Sequence, residues 1–385
     1  MNPTSPSQKK RIGLLCLIAI AAVLFGTLWP FNPFPKNGVD WLPEANGIQF
    51  GPAGLVLSNA PLQVPQEIQS EKFCTLELLL RPATINDSGT ILTFFVPGNP
   101  EKFVVRQWTD GLLVVHKSVS PQGKIKSAKF DLDHAFTAQT LLLLTITSGP
   151  QGTIVYRNAT RAQSFPKFAI APGELSGQII LGISSVDFWP WQGEVRGLAV
   201  YSKELTPSEV SQHYETWTAV PPVAAPDLDG ALARYSFGER RGRSARSAVA
   251  GSPDLQIPTS YDVPHKAMLT SAIKEFRRSR DYLIDVLLNI AGFVPLGVIL
   301  GVYFSLTRSR LQAIFYATLV GGLLSFTIEV AQAYIPSRVS GCTDIITNTL
   351  GTLLGAAIAR PDFVRKLLQI IKVLPTEKYS SSAQS

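Results

Sequence analysis

Cysteine, histidine and charge are what this sequence is short of. Its 385 residues include three cysteines and four histidines, and only 16% are Asp, Glu, Lys or Arg. Cys16, Cys74 and Cys342 have no metal-like spacing and cannot all pair. That excludes a disulfide framework and leaves Cys74 to Cys342 as the one conceivable bridge. His116, His134, His213 and His265 are scattered, without the H-x-x-x-H pattern of zinc enzymes. Charge is thin in blocks. Apolar runs occupy 12–35, 282–307, 311–328 and 345–359, whereas 36–270 has an ordinary soluble composition. These runs approach or reach the roughly 20 residues that cross a hydrocarbon core of about 30 Å. With 45% apolar residues the chain is not disordered. It reads as a membrane protein with a large soluble insert.

A secretory signal peptide is also missing. "RIGLLCLIAIAAVLFGTLWPF" follows Lys9 and Lys10 and runs on to Trp29-Pro30-Phe31 without a small-x-small cleavage site, so an uncleaved helix is expected. Basic residues set the orientation. With four crossings, Lys9, Lys10 and Arg11, then Arg308 and Arg310, then Arg360, Arg365 and Lys366 fall on one side, the cytoplasm. Arg277, Arg278 and Arg280 fall outside, where a long translocated loop escapes the rule. The insert is then extracytoplasmic.

What the insert has is short β-type runs broken by turn formers. "CTLELLLRP", "GTILTFFVPG", "KFVVRQW", "GLLVVHKS" and "QIILGISS" recur without helical periodicity, and "TSGPQGT" marks a hairpin. This predicts an antiparallel β-sandwich. Its closing segment, "IILGISSVDFWPWQGEVRGLAVYSKELTPSEVSQHYETW", resembles the end of laminin-G-like, concanavalin-type sandwiches. Thr206 before Pro207 and Glu209 fits a helix cap. The resemblance implies glycan or protein binding and leaves calcium open. The E-x-D-x-x-E carboxylate set of the related glucanases is missing, so hydrolysis by this domain is not expected. Trp108, Trp189 and Trp191 are candidates to stack on sugars, but a tryptophan in a sandwich is more often core, and core is the expectation. A second segment, "GALARYSFGERRGRSARSAVAGSPDLQIPTSY", resembles an opening strand pair and is too short for a second copy; it can supply strands returning to the first. Arg240, Arg241, Arg243 and Arg246 make a solvated basic loop.

Polar residues reappear inside the apolar runs. Asp285, Asn289 and Gly292 share one helix face, as do Ser325, Glu329 and Gln332, and Asp344, Asn348 and Gly351. Acids at membrane depth are costly unless they face a cavity, a base or one another. Arg338, in "IPSRVSGCT", is the expected countercharge and anion binder. The competing reading is that the amides glue the bundle, with Gly297-x-x-x-Gly301 and Gly351-x-x-x-Gly355 allowing close approach.

"DVLLNIAGFVPLGVILG" and "SFTIEVAQAYIPSRVSGCTDIITNTLGTLLG" closely resemble the VanZ-like family, whose pattern runs D-x-x-x-N-x-x-x-F-x-P-x-G, then S-x-x-x-E-x-x-Q, then R-x-x-x-x-x-D-x-x-x-N-x-x-G. "TLWPF" in the first helix is family-like too. The family's polar positions map to Asp285, Asn289, Ser325, Glu329, Gln332, Arg338, Asp344 and Asn348. The resemblance implies a multi-helix envelope protein of a family named for glycopeptide (teicoplanin) resistance. The sandwich inserted after the first helix is this chain's departure.

The expected fold is therefore mixed: a transmembrane bundle of four α-helices plus an extracytoplasmic antiparallel β-sandwich. The expected divisions are a cytoplasmic N-terminus (1–11), helix 1 (12–34), the sandwich (36–222), a linker with returning strands (223–280), helices 2–4 (281–360) and a cytoplasmic tail (361–385). The expected function is that of a VanZ-like protein of the bacterial inner membrane whose extracytoplasmic lectin-like sandwich binds a glycan or lipid-linked glycan. Alternatives are a membrane-embedded enzyme with Glu329 or Asp344 as acid or base and Arg338 holding an anion, or a structural anchor for the sandwich. Binding candidates are Arg338, Asp285, Asn289, Ser325, Gln332 and Asn348, and no metal ligands or cofactor are expected. The expected partners are the lipid bilayer and a glycan or lipid-linked cell-wall precursor, with no nucleic acid.

Overall fold

A computed structural model of the chain describes residues 6–119, 125–184, 186, 189–219, 228–276 and 278–359. Arg277, Arg360, Arg365, Lys366 and the tail 361–385 lie outside the described residues. The chain divides into two compact units: Phe34–Lys266, and Met1–Pro33 together with the segment beginning at Ala267.

The first helix, α1 (Pro6–Leu28), stops before Trp29-Pro30, earlier than the expected 12–34. Sixteen strands follow in the next unit. They are β1 (Val39–Trp41), β2 (Ile48–Phe50), β3 (Val56–Ser58), β4 (Cys74–Pro82), β5 (Gly89–Val96), β6 (Asn99–Trp108), β7 (Gly111–Val119), β8 (Ile125–Leu132), β9 (Leu142–Gly149), β10 (Gly152–Arg157), β11 (Thr160–Phe165), β12 (Gln178–Leu181), β13 (Gly193–Tyr201), β14 (Ala231–Tyr235), β15 (Ser244–Ala245) and β16 (Leu255–Gln256). All named strand pairs are antiparallel and make two sheets. One runs β1-β2-β13-β4-β9-β10-β11 with β14 also on β13, the other β15-β16-β3-β12-β5-β6-β7-β8. Alternate residues of facing strands, among them Leu76, Leu78 and Leu80 of β4 and Phe94 and Phe103 of β5 and β6, make one shared core.

The sandwich boundary expected at 222 moves to 266. The segment read as a linker adds β14 to β13 and threads β15 and β16 onto β3. The returning strands are edge additions, which short runs with little periodicity can provide because only one side needs a partner. Helix α2 (Pro207–Thr218) is capped as its sequence predicts: Glu209 N–H donates to Thr206 Oγ1 at 3.3 Å and Thr206 N–H donates to Glu209 at 2.7 Å. It lies over the outer face of β4, where its His213 and Trp217 hydrogen-bond the fully buried Glu77 at 3.1 and 2.9 Å.

In the other unit the short α3 (Ala272–Glu275) precedes α4 (Arg280–Ser305), α5 (Arg310–Ala333) and α6 (Cys342–Ile358). Among the described residues three helices, α1 from Lys9, α4 and α5, are long and apolar enough to cross a bilayer; α6, with 17 residues, is a shorter apolar helix, so three of the four expected spans are found. Outward faces of these helices carry exposed Leu17, Phe25, Leu288, Phe315 and Leu323. α4 and α6 pack backbone to backbone. A Cβ on Gly355 would lie 2.1 Å from the Val294 carbonyl oxygen, and one on Gly351 2.2 Å from that of Ile290. Gly355→Val should therefore lower stability by about 3 kcal/mol, the upper end of ordinary overpacking. Gly292→Ala, with nothing within 4 Å of its added carbon, should leave thermal unfolding in detergent unchanged.

Candidate functional site

α6 starts on Gly341, which has no side chain to offer its own first amides. Three groups from elsewhere take them in turn. Gly341 N–H donates to Glu329 at 2.8 Å, Cys342 N–H to the Thr270 carbonyl at 2.8 Å, and Thr343 N–H to Glu275 at 2.9 Å. The Thr343 hydroxyl adds a 2.6 Å bond to the same Glu275 oxygen. Side chains on Gly341 are excluded, because a Cβ there would sit 1.7 Å from Glu275.

The C-terminal end of α1 is served the same way. Gln332 Nε2 donates to the Thr27 carbonyl at 3.0 Å and Arg338 Nη2 to the Trp29 carbonyl at 2.7 Å. Arg338 is thus not the countercharge expected for these acids. Among the described residues it makes no ion pair with Glu329 or Asp344. Its guanidinium instead meets a backbone carbonyl just past the end of a helix, which has no intrahelical donor. Two further bonds tie the helices. Asn289 Nδ2 donates to Asp344 at 2.7 Å, linking α4 to α6, and Asn348 Nδ2 donates to Ser325 at 3.0 Å, linking α5 to α6. The other amide atom of Asn348 is buried without a partner among the described residues.

What these bonds leave over is a cavity of about 350 Å³. Glu275, Asp281, Asp285 and Asp344 line it, with Ser279, Tyr282 and Thr343, and Val286, Val339 and Gly341 complete the wall. No Lys, Arg or His is among these residues. Asp285 and Asp344 were legible as polar positions on helices. Asp281 is four residues before Asp285, on the same face, and that spacing was the available signal. Glu275 lay in a segment without periodicity and had none. Glu329, 1% exposed and bound to the Gly341 amide, is not in the cavity wall.

In the sandwich the acids are internally spoken for. Glu101 is buried among Arg106, Lys117 at 2.5 Å and Ser184 at 2.6 Å. Burial raises its carboxyl pKa, but the charge of Arg106 and the bonds from Lys117 and Ser184 outweigh that and hold it below the usual range. Of the three tryptophans expected in the core, Trp191 is there at 2% exposure, but Trp108 and Trp189 stand at 50% and 44%. The reason is their place at a strand end and a loop, beyond the overlap of the two sheets. Cys16, Cys74 and Cys342 are all free, with Cys74 and Cys342 in different units. Among the described residues no group of three or more His, Cys, Asp or Glu is arranged to hold a metal ion.

Residues 241–367 match the family model described as VanZ/LLP1. The chain carries a VanZ-like domain. Within the described part of that domain lie α4 to α6 and all the cavity residues. No curated protein matches the chain. Among solved structures, the binding domain of botulinum neurotoxin serotype D/C is similar at 13% identity and TM-score 0.34, over 47% of this chain and 46% of that one. The receptor binding domain of the C/D mosaic serotype is similar at 16% identity and TM-score 0.33, over 47% and 45%. The chain thus spans less than half the length of these structures.

Of the acids of the VanZ-like domain, Glu275 and Glu329 accept from the amides that open α6 and Asp285 does not, and stability separates them. Glu275→Ala and Glu329→Ala, which strand buried amides, should each cost about 1–3 kcal/mol. Asp285→Asn should stay within about 0.5 kcal/mol of the parent. Thermal unfolding of the purified chain checks this, and equal losses for all three would contradict the division.

Proposed function

We propose that this chain is a multi-pass protein of the bacterial inner membrane that binds a glycan or lipid-linked glycan, its VanZ-like cavity taking the hydroxyl- or amine-bearing head of that ligand. The observation that carries this reading is the wall of four carboxylates with no base among the lining residues. Carboxylates accept hydrogen bonds from hydroxyl and ammonium groups, and in a site of low dielectric such bonds are strong and selective. The same charge opposes a phosphate or carboxylate head, which speaks against an anion held by Arg338. A glycan joined to a lipid fits a site between helices whose outer faces are apolar.

The orientation rests on the basic residues. Lys9, Lys10 and Arg11 lie near the start of α1, Arg308 lies between α4 and α5, and Arg310 opens α5, which argues for cytoplasmic placement of both groups and puts the sandwich and the start of α4 outside. A reporter fused after residue 230 should be active only when translocated; cytoplasmic activity there would overturn the orientation. In an enzymic reading of the same cavity, Asp285 or Asp344 would be the acid–base group, since Glu329 is bound to a backbone amide outside it.

Native mass spectrometry of the chain purified from its membrane tests the ligand class. A retained species containing hexose or amino sugar is expected, with its occupancy cut at least about tenfold in Asp285→Asn/Asp344→Asn, the size of one lost charge-assisted hydrogen bond. Retention of phospholipid alone, unchanged in the variant, would overturn the reading.

A further inference from the structure

Trp108 and Trp189 expose their indoles although the sandwich core has room for a third, Trp191, deep inside. Their ring centroids are 5.3 Å apart and the planes meet at 53°, giving an open angle with two aromatic walls. The backbone beneath is pinned. Thr109 N–H donates to Ser88 Oγ at 3.2 Å, and Gln107 Nε2 donates to the carbonyls of Thr84 and Thr109 at 2.6 and 2.8 Å. The buried Trp191 donates to Gln107 Oε1 at 2.7 Å, and Thr90 N–H to the Trp189 carbonyl at 3.0 Å. Neither indole can swing into the core while these bonds hold. The same turn presents Asp110, whose carboxylate meets His134 Nδ1 at 2.5 Å. That hydrogen bond, then the charge of Asp110, holds the exposed His134 above its ordinary pKa.

We infer that the Trp108–Trp189 pair is a saccharide subsite, stacking the C–H face of a pyranose ring while Asp110 and His134 meet its hydroxyls. A pyranose offers polarised C–H bonds on one face, complementary to the negative face of an indole, and a rim of hydroxyls that need donors and acceptors. An apolar peptide would make no use of the polar groups that the Asp110–His134 pair presents beside the indoles. An anionic bilayer would face the Asp110 carboxylate. The inference rests on the saccharide reading above and extends it to a second place in the chain, within the sandwich unit.

The full chain in phosphatidylcholine nanodiscs can be titrated with chitotetraose and cellotetraose and co-sedimented with purified peptidoglycan sacculi. Binding of at least one probe is expected, weakened by about fivefold or more in Trp108→Ala and in Trp189→Ala, the scale of one aromatic contact. Trp108→Phe should keep most of it, and Trp29→Phe, in the helical unit, all of it. The bound probe should also slow oxidation of exposed indoles by N-bromosuccinimide in the parent protein, a readout independent of variant folding. Gly292→Ala, in the helical unit and with nothing within 4 Å of its added carbon, should leave probe binding unchanged, and the cavity reading is judged separately by the retained species in native mass spectra. Absence of binding to every probe, parent-like binding by both alanine variants, or no protection from oxidation would each overturn the subsite. So would a pair whose removal abolishes only adhesion to phosphatidylglycerol vesicles.

Discussion

The amides that open α6 are the constraint on which the helical unit depends. A helix-end N–H buried without a partner costs free energy comparable to a lost hydrogen bond. A helix starting on Gly341 brings no cap of its own, so Glu329 from the end of α5 and Glu275 from α3 must reach it. The reach of those two side chains fixes where α5 ends and α3 sits against α6. Gly341 itself is the only residue small enough for Glu275 to come that close.

The cavity follows from this arrangement. Once Glu275 is drawn to the α6 terminus, Asp281 and Asp285 on α4 and Asp344 on α6 share one space with it. The base nearest in sequence, Arg338, is used elsewhere, on the carbonyl of Trp29. The result is four carboxylates around one space with no Lys, Arg or His among its lining residues. The sandwich solves the same problem internally, with Arg106 and Lys117 around Glu101 and His213 and Trp217 around Glu77.

The sequence made the helical elements and their polar faces legible because 3.6-residue periodicity survives inside apolar runs: Asp285 with Asn289, Ser325 with Glu329, and Asp344 with Asn348 all prove to lie at helix contacts or the cavity. It could not assign their partners, since Arg338 had two kinds of acceptor in reach, a carboxylate and a bare helix-end carbonyl. Charge counting favours the first; backbone geometry gave it the second. Glu275 escaped notice for a different reason. It acts through one short helix turn in a connecting segment, where no pattern distinguishes a cap from a solvated acid. The strands β14 to β16 were hard to place because edge strands of two to five residues carry too little alternation to fix a register. The two exposed tryptophans were hidden by a composition rule that is correct on average and fails at strand ends.

The claim at the centre of this account is that the cavity is strongly negative and open on the extracytoplasmic side. A chain carrying Ser279→Cys in a Cys342→Ser background, in intact cells, can be reacted with two thiol reagents of similar size, trimethylammonium-ethyl and sulfonatoethyl methanethiosulfonate. The account predicts that the cationic reagent modifies position 279 faster by about tenfold or more, as expected for focused charge in a low-dielectric cleft, and that Asp285→Asn shrinks the ratio. Equal rates for the two reagents, or modification only after the membrane is opened, would contradict it.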